Sequence, residues 1–212
     1  MSRYKLDFFF DYSSPFAYLG ATQIERVAKD ADRVWHPFLL GGLFKSIGSP
    51  NVPFHTFPKS KQKYQIDDMR RWAQHYGEPF SFPTRFPMHT VTALRMTLQL
   101  EGADRPRLAL PIFRAYWAED RDINDKAELA KIASDAGFDG AALIAGASEQ
   151  PIKDALRGET ELAEKLGICG APSFIVSPPG AGEGEGEGIV FWGQDRLMFV
   201  EKALAGWRPR TG

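Results

Sequence analysis

The feature that most constrains this chain is a junction near its N-terminus, Phe8-Phe9-Phe10-Asp11-Tyr12-Ser13-Ser14-Pro15-Phe16-Ala17-Tyr18-Leu19-Gly20. An apolar, strand-like run stops at two serines, and a proline stands where an amphipathic helix would begin. Ser14 falls at the N-cap and Pro15 at the first helical position, where its missing N–H leaves nothing unsatisfied and its fixed φ already suits the helix. A hydroxyl there lies beside free backbone N–H groups and the positive end of a helix dipole, surroundings that favour an anion such as a thiolate or carboxylate. The same residues also make an ordinary structural cap. The choice rests on what the rest of the chain places around them.

Leu6 to Phe10 has the all-apolar character of a central strand covered on both faces. The helix after Ser14 puts Ala17, Ala21, Ile24 and Ala28 on one side and closes at Lys29-Asp30-Ala31-Asp32. Arg33 to Leu40 reads as a second strand, with Pro37 weakening it or marking an edge. Strand, helix and strand together suit a parallel βαβ unit. Past Gly41-Gly42 the pattern changes, and helical periodicity dominates to about residue 166. One helix carries Met69, Trp72, Ala73 and Tyr76 and stops at Gly77; another carries Val91, Leu94 and Leu98 and ends at Gly102. A third runs through Leu108, Ile112 and Tyr116 with Pro111 near its first turns, and Asp125-x-x-Glu128 has the spacing of a capping box. Shorter helical pieces surround Leu143 and run from Pro151 to Leu166. Strands return at Gly170–Val176 and Ile189–Trp192, joined by a Gly/Glu tract with the composition of a mobile hairpin loop. A last helix starts near Asp195, carries Leu197, Val200 and Leu204, and ends at Gly206.

Composition narrows the function. The 26 basic and 27 acidic residues of this 212-residue chain leave no net field to recruit nucleic acid or an anionic membrane. The N-terminus has neither a signal-peptide core nor a spanning run. A single cysteine, Cys169, permits no internal disulfide and suits a reducing, cytoplasmic setting. It reads as a small buried apolar side chain that could approach the active site. His36, His55, His75 and His89 are scattered, no Walker loop, zinc-binding pair or nucleophile elbow is present, and no metal site is expected. The charge balance argues for a small-molecule ligand or a protein partner.

The order of elements is that of an α/β, thioredoxin-like domain carrying an inserted all-helical domain, with residues 1–44 and 167–212 forming the first and 45–166 the second. Ser14-Pro15-Phe16-Ala17 then stands where a thiol oxidoreductase carries C-x-x-C, and without those thiols the domain cannot shuttle a disulfide. The motifs Phe-Phe-Asp-x-x-Ser14-Pro15, Gly-Ala171-Pro172-Ser-Phe and Trp-Gly193-Gln194-Asp195-Arg196-Leu, with Gly-Leu43-Phe-Lys45, Pro50-Asn51-Val-Pro53, Met69-Arg-Arg-Trp72 and Arg85-Phe86-Pro87 between them, resemble the 2-hydroxychromene-2-carboxylate isomerases and kappa-class glutathione transferases, within the DsbA-like thioredoxin superfamily.

That resemblance covers essentially the whole chain. It implies that glutathione binds across the thioredoxin-like domain, its cysteinyl backbone on Ala171 before a cis Pro172, its γ-glutamyl end at Gln194 and Asp195, and Asn51 reaching it from the insertion. Asp195 at a helix start also reads as a plain N-cap. Ser14 would donate to the glutathione sulfur and lower its pKa. The implied reaction is the cis-trans isomerisation of an aromatic-catabolism substrate, with glutathione regenerated. Lys45, Arg85 and His89 are candidates for the substrate carboxylate, and Phe86, Trp72 and Phe54 for its aromatic ring. His89 stands where many relatives are expected to carry asparagine, which points toward a different substrate. The family's habit of pairing implies a homodimer. Two alternatives stay open: a kappa-like glutathione transferase or peroxidase, and a noncatalytic thioredoxin-like binding module.

Overall fold

Four strands set the frame on which everything else is hung. In the computed structural model, which describes residues 3–181 and 188–209, β1 (Lys5–Phe10) is flanked by β2 (Asp32–Pro37) in parallel and by β3 (Ser173–Ser177) antiparallel, and β4 (Ile189–Trp192) completes the order β2-β1-β3-β4. The aromatic run predicted as a central strand is central. Its alternation divides the side chains between two layers. On one side Phe8 packs edge-on to Trp35 at 4.8 Å and stacks on Phe174 at 5.4 Å, while Phe10 meets Phe113 at 5.5 Å. On the other side Phe9 lies flat against the His36 ring at 4.3 Å. Pro37 closes the edge strand, where a missing N–H breaks no internal ladder.

The helix expected from Pro15 to Ala28 is two pieces, α1 (Pro15–Ala21) and α2 (Ile24–Val27). The break falls where the Thr22 hydroxyl turns back to bond the Leu19 carbonyl at 2.9 Å. Such side-chain competition with the helical ladder is what makes threonine a poor interior residue.

Between β2 and β3 every regular element is a helix: α3 (Leu40–Ser46), α4 (Pro53–Thr56), α5 (Lys59–Tyr76), α6 (Val91–Leu98), α7 (Asp104–Trp117), α8 (Lys126–Asp135), α9 (Gly140–Gly146) and α10 (Gln150–Lys165). Gly77 ends α5 in the left-handed conformation, φ 74°. Asp125 caps α8 by accepting from the Ala127 N–H at 2.8 Å, but Glu128 does not complete the capping box; it binds Arg121 at 2.5 Å instead. α6 stops at Leu98, short of Gly102. Pro111 sits in the middle of α7, not in its first turns. The buried Leu108, Ile112, Phe113, Tyr116 and Trp117 outweigh the lost backbone bond by joining this helix to the sheet core.

A buried polar clasp ties the sheet to α10. His36 is held through Nε2 to Asp7 and through Nδ1 to Glu159 of α10, each at 2.9 Å, and Lys5 bonds Asp7 at 3.0 Å. Burial opposes charge on both groups. The facing opposite charges outweigh it, so His36 is raised above its ordinary value and Asp7 lowered below its own.

After β4 a single 3-10 turn, Gln194–Arg196, leads into α11 (Leu197–Leu204), whose Leu197, Val200 and Ala203 are buried. Of the 178–188 tract read as the hairpin loop, residues 182–187 lie outside the described residues. Among the described residues no helix is long and apolar enough to cross a membrane.

Candidate active site

Ser14 occupies the N-cap of α1 in extended backbone conformation, φ −99° and ψ 116°. Its Oγ accepts from the Ala17 N–H at 3.2 Å and donates to the Ala171 carbonyl at 2.8 Å, across 157 residues of sequence. The Ala171–Pro172 bond is cis, and the Pro172 carbonyl accepts the Gly193 N–H at 2.9 Å. Gly20, one face of α1, is packed so closely that an added Cβ would lie 3.4 Å from Pro172 and 3.6 Å from Gln194. Ser14, Ala171, Pro172, Gln194 and Asp195 are thereby drawn to one end of the sheet. Gln194 is buried; its side-chain oxygen takes the Asp195 N–H, and its carbonyl takes the Tyr76 hydroxyl of α5 at 3.3 Å. The Asp195 carboxylate is part-exposed and pairs with Arg196 at 2.5 Å.

The four residues leading into α1 are a hub that sequence reasoning passed over. Asp11 is buried, and its carboxylate accepts from the Ser13 N–H at 3.0 Å, the Leu40 N–H at 2.8 Å and the Thr90 hydroxyl at 2.6 Å. Burial pushes the Asp11 carboxyl above its ordinary range, and these three donors oppose that shift. The Tyr12 carbonyl receives the Trp117 indole N–H at 2.8 Å, and its hydroxyl meets Thr97 at 2.6 Å. The sequence-level signal was there: an acid placed at the end of an all-apolar strand must find donors.

The other residues expected at the site lie on the segment between β2 and β3. Asn51 is exposed, and its side-chain oxygen lies 2.8 Å from where a Cβ on Gly41 would stand, one residue from the Asp11-bound Leu40. Phe54 and Phe86 come together at 5.8 Å and share Phe82, at 5.6 and 5.1 Å, over Trp117. Trp72 does not join them; it belongs to a separate cluster on α5 with His75 and Tyr76. Lys45 is exposed on the last turn of α3. Arg85 is half-exposed and held by the Asp120 carbonyl at 3.1 Å and the Asp122 carboxylate at 3.7 Å. His89 is exposed, anchored through its backbone N–H to Asn124. The buried position expected for Cys169 is wrong: the residue is exposed, between the buried Ile168 and Gly170.

Among the described residues no cluster of His, Cys, Asp and Glu could hold a metal. Ala17, at the position of a second redox thiol, is buried. The site offers a hydroxyl donor at a helix start, a backbone carbonyl beside a cis proline, and a carboxylate at the neighbouring turn. Such a set recognises a peptide-like ligand and can stabilise an anion.

The sheet order, the helix-starting Ser14 and the cis Pro172 define a thioredoxin-like protein, and the chain belongs to the family described as the DSBA-like thioredoxin domain, whose model matches residues 5–205. It is similar to a 2-hydroxychromene-2-carboxylate isomerase of Sphingobium xenophagum, 27% identical over 202 residues that span 94% of this chain and 97% of the relative. It is also similar to glutathione S-transferase kappa 2 of Caenorhabditis elegans, 26% identical over 219 residues that cover 96% and 93% of the two chains. A solved 2-hydroxychromene-2-carboxylate isomerase structure superposes with a TM-score of 0.79 at 25% identity, with 95% of each chain covered.

Proposed function

We propose that this protein is a glutathione-dependent cis-trans isomerase of 2-hydroxychromene-2-carboxylate or a related conjugated aromatic keto acid. The observation that carries the reading is the Ser14 hydroxyl, buried at the start of α1 and bonded to the Ala171 carbonyl beside Pro172. The likeness to the two relatives above supports it over nearly the whole chain.

The residues present fit glutathione. When bound, it supplies a thiolate that can add reversibly to a conjugated double bond and so lower the barrier to rotation. Ser14 holds that thiolate by turning its proton from the Ala171 carbonyl to sulfur, which leaves the carbonyl free to accept a peptide N–H. No acidic residue in the first turn of α1 offsets its dipole. Asp195 receives the γ-glutamyl ammonium, Gln194 orients the turn beneath it, and Asn51 contacts the tripeptide from the insertion. The ring of the substrate lies on Phe54 and Phe86, and Lys45, Arg85 and His89 serve its carboxylate.

The test is turnover of a conjugated aromatic keto acid with substoichiometric glutathione. Substrate loss at constant free glutathione is the expected result. Stoichiometric consumption would instead assign the transferase activity named for the kappa relative, and turnover independent of glutathione would remove the cofactor from the proposal.

A further inference from the structure

A cleft of about 570 Å³ opens between α3, α6 and α10, with Leu39, Val91 and Leu156 as its apolar wall and Arg95 and Lys153 at one end. Its size is that of a small-molecule site. It is separate from the Ser14 groove: of the two glycines on α3, Gly41 faces Asn51, whereas Gly42 faces Thr160 and Leu39 in this cleft.

Arg95 is the anomaly. Its Nε is shut off from solvent and has no acceptor. A buried N–H without an acceptor is costly, and native proteins rarely leave one so; the residue as a whole is half-buried and lines the cleft. Other arginines of the helical block are satisfied: Arg105 donates to the Leu100 and Trp35 carbonyls, and Arg121 binds Glu128. Arg157, which also lines the cleft, is bound to Asp154. Among the described residues no carboxylate lies within ion-pair reach of Arg95 or Lys153. Lys153 stands in the first turns of α10, behind Glu149 at the N-cap, whose side chain makes no capping bond. Glu161 and Glu164 line the opposite end, where Ser46 bonds Glu164 at 2.6 Å. The cleft is therefore polarised and rejects a second anionic group at its far end.

We infer that this cleft binds an amphipathic organic monocarboxylate, its carboxylate on Arg95 and Lys153 and its apolar body along Leu39, Val91 and Leu156. The inference does not depend on the isomerase reading. Because Leu39 and Val91 adjoin Leu40 and Thr90, two of the three donors to Asp11, a ligand here rests against supports of the Ser14 hub.

The test uses the full chain labelled with nitrogen-15, titrated with 3-phenylpropionate, with its neutral amide, and with inorganic phosphate. The expected result is a saturable shift of the Arg95 Nε–H resonance and of the Val91 and Leu156 amides with the carboxylate alone. Arg95→Gln weakens binding by about tenfold or more, the loss expected for one charge-assisted hydrogen bond, and Lys153→Gln weakens it by a smaller factor. Shifts confined to Ser14 and Ala171, phosphate binding as tightly as the carboxylate, or affinity unchanged in both variants would each overturn it. If Arg95→Gln does not fold, the wild-type Arg95 resonance and Lys153→Gln decide the matter.

Discussion

Replacing Ser14 with alanine separates the two jobs of its hydroxyl. In the folded protein Oγ caps α1 through the Ala17 N–H and satisfies the buried Ala171 carbonyl. Loss of an N-cap costs about 1 kcal/mol, and an orphaned buried carbonyl about 1–3 kcal/mol. The two terms share one atom, so the combined loss should fall near 2–3 kcal/mol and appear as a lower urea midpoint with an unchanged slope. The second job appears only with glutathione. A hydrogen bond to a charged acceptor is worth about 1.5–3 kcal/mol, which corresponds to a thiolate pKa raised by about one to two units in the variant. Ultraviolet thiolate absorbance at saturating glutathione, measured across pH, reads this directly. Turnover at neutral pH should fall about ten- to a hundredfold, whereas Ser14→Thr, which retains a hydroxyl, should recover much of it. A variant that binds glutathione with the same thiolate titration as the parent would refute the role given to Ser14, whatever happens to stability.

Two further outcomes follow from local geometry. The His36 clasp makes stability depend on pH from both sides: His36, raised above its ordinary 6.5, contributes fully below that pH and loses its contribution as pH rises through the higher folded value, while Asp7, lowered from 3.8, contributes above 3.8 and loses it as pH falls through the lower folded value. Unfolding midpoints measured across pH should therefore decline as pH rises above 6.5, and His36→Gln should flatten that decline; an identical slope in the variant would exclude the clasp. Gly41→Ala places a Cβ 2.8 Å from the Asn51 side-chain oxygen. It should leave stability unchanged or raised by up to about 1 kcal/mol, as alanine does in a helix, while glutathione affinity measured by calorimetry falls severalfold; undiminished affinity would remove Asn51 from the site.

Local chemistry was the legible part of this molecule. Ser14-Pro15 announced a helix start, Gly77 a helix stop, and Pro37 a sheet edge, because each depends on a residue's own backbone preferences. The interior Pro111 misled for the same reason, since only the packing of Phe113, Tyr116 and Trp117 against the sheet explains why that helix continues. Long-range partners left no local trace. Asp11 meets Thr90 across 79 residues and His36 meets Glu159 across 123, and neither pairing has a sequence spacing that signals it. The candidate site divides in the same way: Ser14 and Ala171-Pro172 could be picked out from motifs, whereas the separation of Trp72 from the Phe54–Phe86 pair and the exposure of Cys169 depend on how loops settle on a finished core.

The link from Asp11 to Ser14 is held at successive positions by partners from different parts of the chain: α3 and the start of α6 at Asp11, α6 and α7 at Tyr12, the Pro172 loop at Ser14. Its length is consequently a harder constraint than its composition. A side chain within it can be exchanged at the cost of its own bonds, one at Tyr12, two at Ser14 and three at Asp11, but one residue inserted or deleted there would put several partners out of phase at once. Variation that preserves the fold is confined to substitution in this link, and a new chemistry at position 14 can arise by changing one atom of a side chain while every support stays where it is.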